Sequence, residues 1–126
     1  MLADMDAQAT VPVKDLARAR TFYEQVLGLT PVGGDAMRGV QGYRSGASTL
    51  VVYESQFAGT NQATAVTWSL GGQFDAVMRE LKAKGVTFER YDLPGIRMDG
   101  DVHVAAGSRV AWFKDPDGNI INIGNY

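Results

Sequence analysis

The chain has 126 residues, 45% hydrophobic and 21% charged, with a formal net charge of -2. That length suits one domain, and the charge balance leaves no basic field to attract a nucleic-acid backbone. Cysteine is absent, which excludes disulfides, thiolate metal sites and cysteine nucleophiles and fits a reducing compartment. The opening run MLADMDAQAT carries acids where a secretory signal needs basic residues and an apolar run, and no stretch approaches a membrane span. The expected location is therefore cytoplasmic, with neither membrane nor nucleic acid as a partner.

In chain order, Ala9, Val11 and Val13 alternate with Gln8, Thr10 and Pro12, the period of a strand with one buried face. Pro12 has no N–H to donate, which predicts an edge strand or a local irregularity. Asp15 is placed to cap a helix, and Leu16, Ala19, Phe22, Tyr23, Val26 and Leu27 follow at helical spacing until Gly28. Residues 29–54 read as three short strands, the clearest being 48–53 (STLVVY), separated by Gly33-Gly34, Gly42 and Gly46. After a polar loop at 55–62 the order begins again: a strand at 63–70, a helix at 74–84 ended by Gly85, and strands at 86–90, 109–114 and 119–123. The last two strands flank Asp115-Pro116-Asp117-Gly118, in which proline suits the second position of a type I turn and glycine the left-handed position after it.

The repeat survives an ungapped comparison in which 57 is added to each residue number of the first half. Val11 then falls on Trp68, Val13 on Leu70, Gly28 on Gly85 and Leu29 on Val86. The helix faces match poorly, with Phe22 on Arg79 and Tyr23 on Glu80. The second half is longer because residues 91–107 (YDLPGIRMDGDVHVAAG) intervene between its strands. A loop of that length in a small domain is commonly functional, and this one is expected beside the ligand.

The segments Val13-Lys14-Asp15-Leu16, Phe22-Tyr23 with Leu27-Gly28, and Phe113-Lys114-Asp115-Pro116-Asp117-Gly118-Asn119 resemble, in order and spacing, the vicinal oxygen chelate superfamily. That superfamily includes glyoxalase I, extradiol dioxygenases, fosfomycin-resistance transferases and bleomycin-binding proteins. The resemblance implies an α+β fold over residues 1–126, built from two βαβββ repeats at about 5–58 and 62–126. Their eight strands would form a half-open cup with helices outside and ligand inside, and a homodimer is implied as well.

The resemblance also implies four inward strand positions that hold a divalent metal in many members. Here they fall on Gln8, Val51, Ala65 and Asn122, with Val66 as the alternative for the fifth strand. Ala65 is preferred because it leaves Val66, Trp68 and Leu70 on the core face. Two neutral amides and two aliphatic side chains are a poor ligand set, since such ions take several carboxylate, imidazole or thiolate donors. No metal and no cofactor are expected.

Strand parity would line the cup with Thr10, Val51, Tyr53, Thr67, Ser69, Val110, Trp112 and Asn122, an apolar, partly aromatic surface with a few polar groups. Tyr53 and Trp112 could instead be plain packing. Gln8 and His103 complete the candidate ligand-binding set, His103 being the only histidine. His103 could act as a base or ligand from the long loop, or stand there merely solvated. Asp99, Asp101 and His103 alternate as a weak cation site would, without the full calcium-loop pattern.

The reading that follows is a metal-independent binder of a small, apolar or aromatic molecule, similar to the bleomycin-sequestering members. The alternative is a lyase, isomerase or dioxygenase of the same superfamily with an atypical metal site or none, its catalytic residues unassigned. A third reading is a partner domain that uses its sheet as an interface.

Overall fold

The computed structural model describes residues 1–33 and 38–126; Gly34, half of the expected Gly33-Gly34 turn, lies outside them. Contacts divide the chain into two units, Met1–Thr60 and Asn61–Tyr126, each a strand, a helix and further strands.

In the first unit β1 (Ala9–Val13) leads into α1 (Leu16–Arg20), and β2 (Thr30–Val32), β3 (Val40–Ser45) and β4 (Ser48–Glu54) follow. Their order in the sheet is β1-β4-β3-β2, with β1 parallel to β4 and the others antiparallel. Pro12 thus lies on an edge strand, where its missing N–H costs no ladder bond. Val11, Val13, Tyr43, Leu50 and Val52 are buried on one face. That face takes the helix, because Tyr23 stacks on Tyr43 with ring centroids 6.1 Å apart.

Asp15 caps α1, its Oδ1 accepting the Ala17 N–H at 2.9 Å, and Glu54 Oε2 accepts the Leu16 N–H at 3.1 Å. Beyond Arg20 the helix continues over Thr21–Val26 as a π-helix, with the Leu27 N–H donating to the Phe22 carbonyl at 2.9 Å. Gly28 then takes a φ of 74°, the left-handed conformation that ends the helix. The helix faces fail to match at 57 because the stretch from Leu70 to Phe74 is one residue longer than that from Val13 to Leu16. Leu16 and Tyr23 correspond to the buried Phe74 and Leu81 at a spacing of 58, and the single extra residue of the π segment restores 57 by Gly28 and Gly85.

The second unit holds β5 (Thr64–Ser69), a 3-10 turn at Gly71–Gln73, α2 (Phe74–Ala83), β6 (Phe88–Glu89), β7 (Arg97–Asp99), β8 (Val102–Ala105), β9 (Ser108–Lys114) and β10 (Ile120–Gly124). The sheet runs β5-β10-β9-β8-β7, and β6 also pairs with β9. Val66 and Trp68 pair with Ile121 and Ile123, which in turn pair with Phe113 and Ala111. This is the buried face; Phe88 packs edge-on against Phe113 there at 5.8 Å, and α2 buries Phe74, Met78 and Leu81. The Asp115 turn closes as expected. Asp115 Oδ1 accepts the N–H groups of Asp117 and Asn119, both at 2.9 Å, and Gly118 has a φ of 92°.

The fold is α+β as expected, but the described residues form ten strands rather than eight. The difference lies in residues 91–107, expected as a loop, where β7 and β8 form a hairpin turning at Gly100, whose φ is 61°. Two clamps hold that turn: Lys82 Nζ lies 2.7 Å from Asp101 Oδ2, and Arg90 donates to the Gly100 carbonyl at 2.8 Å. No helix among the described residues is long and apolar enough to cross a membrane.

Candidate functional site

Each sheet has a second face, turned away from its helix. In the first unit the register pairs Thr10 with Val51, Val51 with Gly42, and Tyr53 with both Pro12 and Val40, so Thr10, Val51 and Tyr53 share that face as expected. Val51 and Tyr53 are half-buried and Thr10 is exposed. Gln8 stands just before β1, exposed, its carbonyl accepting the Thr10 hydroxyl at 3.3 Å. This face offers few convergent polar groups. Two shallow clefts lie in the unit, one farther along this face, lined by Val32, Arg44 and Thr49, and the other lined by Lys14, Glu54 and Gln56, and neither includes an expected site residue.

In the second unit Asn122 pairs with both Trp112 and Thr67, Gly124 with Val110 and Ser69, and Val110 with His103. The helix-free face therefore gathers Thr67, Ser69, His103, Val110, Trp112 and Asn122. Thr67 and Ser69 are exposed, Val110 and Trp112 half-buried. The register also bears on the fifth strand. Val66 pairs with Ile121 on the core side, and Ala65 is the residue that the irregularity between Ile120 and Ile121 leaves without a partner.

Asn122 is only 5% exposed, and its amide is already engaged. Its Nδ2 donates to the Ala111 carbonyl at 3.1 Å, and its Oδ1 accepts the Tyr126 hydroxyl. The Tyr126 ring lies so close over Gly124 that a Cβ there would overlap it, so a side chain at that position would displace the ring.

His103 is 1% exposed on β8. The expectation of a histidine in a loop is therefore corrected: pairing with Met98 and Val110 places it in the middle of a sheet. Its Nε2 accepts the backbone N–H of Tyr91 at 2.9 Å. Trp112 meets its ring edge-to-face at 4.8 Å, and Tyr91 packs edge-on against Trp112 at 5.4 Å. Trp112 is itself oriented, its Nε1 donating to Thr64 Oγ1 at 3.2 Å. An imidazole that accepts at Nε2 carries its proton at Nδ1 when neutral. That Nδ1 and the Tyr91 hydroxyl are buried without a hydrogen-bond partner, an arrangement that costs about 1–3 kcal/mol for each group. Burial, with Glu89 adding to it, raises the Tyr91 pKa and keeps the phenol protonated.

The four positions implied for a metal do not fit one. Val51 and Ala65 have no donor atoms, and the Asn122 amide is spent on Ala111 and Tyr126. Among the described residues no group of three or more His, Cys, Asp or Glu could hold a metal ion. The alternation of Asp99, Asp101 and His103 makes no cation site either, because Asp101 pairs with Lys82 and His103 with Tyr91. The polar connector after β4 uses its side chains internally: Ser55 Oγ accepts the Phe57 N–H and Asn61 Oδ1 the Ala63 N–H.

Tyr91, Thr64 and Tyr126 belong to this face and are absent from the sequence-based set. Parity carried the signal for two of them. Glu89 lies opposite Trp112, so Tyr91 continues the same alternation, and Tyr126 continues that of Asn122 and Gly124.

The same fold recurs in solved structures of low sequence identity. An integron cassette protein from the mobile metagenome of the Halifax Harbour sewage outfall has a TM-score of 0.71 at 18% identity, covering 94% of this chain and 96% of its own. Fosfomycin resistance protein FosX from Mesorhizobium loti has a TM-score of 0.68 at 14% identity, covering 100% and 94%. Lactoylglutathione lyase from Agrobacterium tumefaciens has a TM-score of 0.66 at 19% identity, covering 95% and 92%. No curated protein matches the sequence. The family model for the glyoxalase/bleomycin resistance protein/dioxygenase superfamily matches residues 7–123, nearly the whole chain, and the protein belongs to that superfamily.

Proposed function

We propose that the protein is a metal-independent binder of a small apolar or aromatic molecule, held against the helix-free face of the second unit around Trp112 and His103. The observation that carries this reading is the set of Tyr91, His103 and Trp112, an aromatic surface whose two buried polar atoms lack partners. Small-molecule sites combine these elements, an apolar body with a few placed polar groups. The lack of donor atoms at Val51 and Ala65 supports binding without a metal.

The test is a thermal-shift screen of the metal-free protein against aromatic metabolites and antibiotics. A ligand at a hundred times its dissociation constant stabilises the fold by about 2.7 kcal/mol, and Trp112→Ala is expected to abolish the shift. Loss of the ligand through turnover, removed by His103→Gln, would move the reading to an enzyme of the superfamily.

A further inference from the structure

We propose that the Tyr91 hydroxyl and the Nδ1–H of His103 form a subsite for the carbonyl oxygen of an uncharged, planar ligand, with Trp112 as its apolar wall. The proposal rests on the small-molecule reading above and names the chemistry of that ligand. Its starting point is hydrogen-bond accounting. Buried polar atoms in folded proteins almost always have partners, yet two lie unpaired within one three-ring set: Tyr91 Oη and His103 Nδ1.

Their chemistry is fixed by what surrounds them. The Tyr91 N–H occupies His103 Nε2, so the imidazole presents Nδ1 as a donor. Burial favours the neutral phenol of Tyr91, which is a donor as well. Trp112 spends its own N–H on Thr64 and contributes only its ring surface. Two donors beside an aromatic wall call for an acceptor oxygen on a flat body. The charges near Tyr91 then select among acceptors. Glu89 and Lys114 act on it in opposite senses and pair with each other at 3.4 Å, which leaves no net positive charge to favour a carboxylate over a neutral carbonyl. Tyr91 and Trp112 are half-buried while His103 is enclosed, so a ligand enters from the Tyr91–Trp112 side.

Acetophenone and α-methylstyrene test this directly, because they share a shape and differ by a carbonyl oxygen in place of a methylene. His103 is the only histidine, so its labelled imidazole gives a single NMR signal set. Acetophenone is expected to shift the Nδ1–H resonance and to bind at least tenfold more tightly than α-methylstyrene. Tyr91→Phe, which removes only the hydroxyl, is expected to cut that preference severalfold. Equal binding of both probes by the wild-type chain, with the His103 and Trp112 signals moved alike, overturns the carbonyl subsite and leaves the small-molecule reading standing. Binding of neither probe, together with no hit in the wider thermal-shift screen, overturns both. Should Tyr91→Phe fail to fold, the wild-type comparison still decides.

Discussion

Tyr91 gives its backbone N–H to the Nε2 of His103 across 2.9 Å, joining the segment that leaves the short strand β6 to the middle of β8. The bond sets the tautomer of the ring, and it makes His103 the acceptor for an otherwise unpaired backbone donor.

His103→Phe keeps a ring against Trp112 and leaves the Tyr91 N–H without an acceptor. The expected loss is about 1–3 kcal/mol in urea unfolding. In the wild-type protein, imidazole nitrogen shifts of the neutral ring are expected to report a proton on Nδ1 and none on Nε2. The opposite tautomer would contradict the geometry.

In the first unit the Tyr43 hydroxyl donates to Glu24 Oε2 at 2.8 Å. Tyr43→Phe is expected to destabilise the fold by about 1.5–3 kcal/mol, the range for hydrogen bonds to charged groups. Burial first, then the bond to Glu24, pushes the Tyr43 phenol far above its ordinary value. Folding thus favours the neutral phenol. Its contribution is complete below about pH 10, the unfolded value, and declines as pH rises from there toward the folded one. Ultraviolet titration of the five tyrosines should show Tyr43 ionising only with alkaline unfolding, and Tyr43→Phe should reduce that step by one phenol.

Replacing residues 97–105 with a tight turn is expected to unfold or severely weaken the second unit. The segment includes the buried Val102 and His103, and burial of one aliphatic side chain alone contributes about 1.5–3 kcal/mol. Asp101→Ala breaks only the partly exposed pair with Lys82 and should cost no more than about 1 kcal/mol. Chemical denaturation of both variants checks the contrast; a shortened chain of unchanged stability would mean that the hairpin is dispensable.

Zinc, nickel, manganese or iron added in excess is expected to leave the melting temperature unchanged, and elemental analysis is expected to find no stoichiometric ion. One metal per chain that disappears in Gln8→Ala would reverse the reading of the four positions.

Homodimerisation is the expected solution state, because the end strands β1 and β2 of one sheet and β5 and β7 of the other each have one hydrogen-bonded neighbour among the described residues and natural sheets cover such edges. Sedimentation equilibrium should return twice the 13.6 kDa chain mass. A 13.6 kDa species at every concentration would count against it.

Features governed by local rules were readable from the residues. Alternation placed Val11 and Val13 inward and Trp112 with Asn122 on the opposite face, and the turn chemistry of Asp15, Gly28, Gly85 and Asp115 marked where elements begin and end. What escaped depends on partners distant in sequence. The strands β7 and β8 have three and four residues, too few to establish a period, and they gain definition only by pairing with each other and with β9. Tyr91 enters the site through a bond to a side chain twelve residues on. The engagement of Asn122 needs Tyr126 folded back over Gly124, which parity suggests but no local rule requires.

The wide turn at Thr21–Val26 is a compensation. If the two halves descend from one duplicated ancestor, the bulge in the first helix makes up for the one residue fewer between Val13 and Leu16 than between Leu70 and Phe74, and the strand that follows keeps its place. The copies have since ceased to be interchangeable parts. A chimera with α2 grafted in place of the first helix would be one residue short at its exit, and Leu29 would reach β2 turned away from the position its Tyr23 contact now gives it.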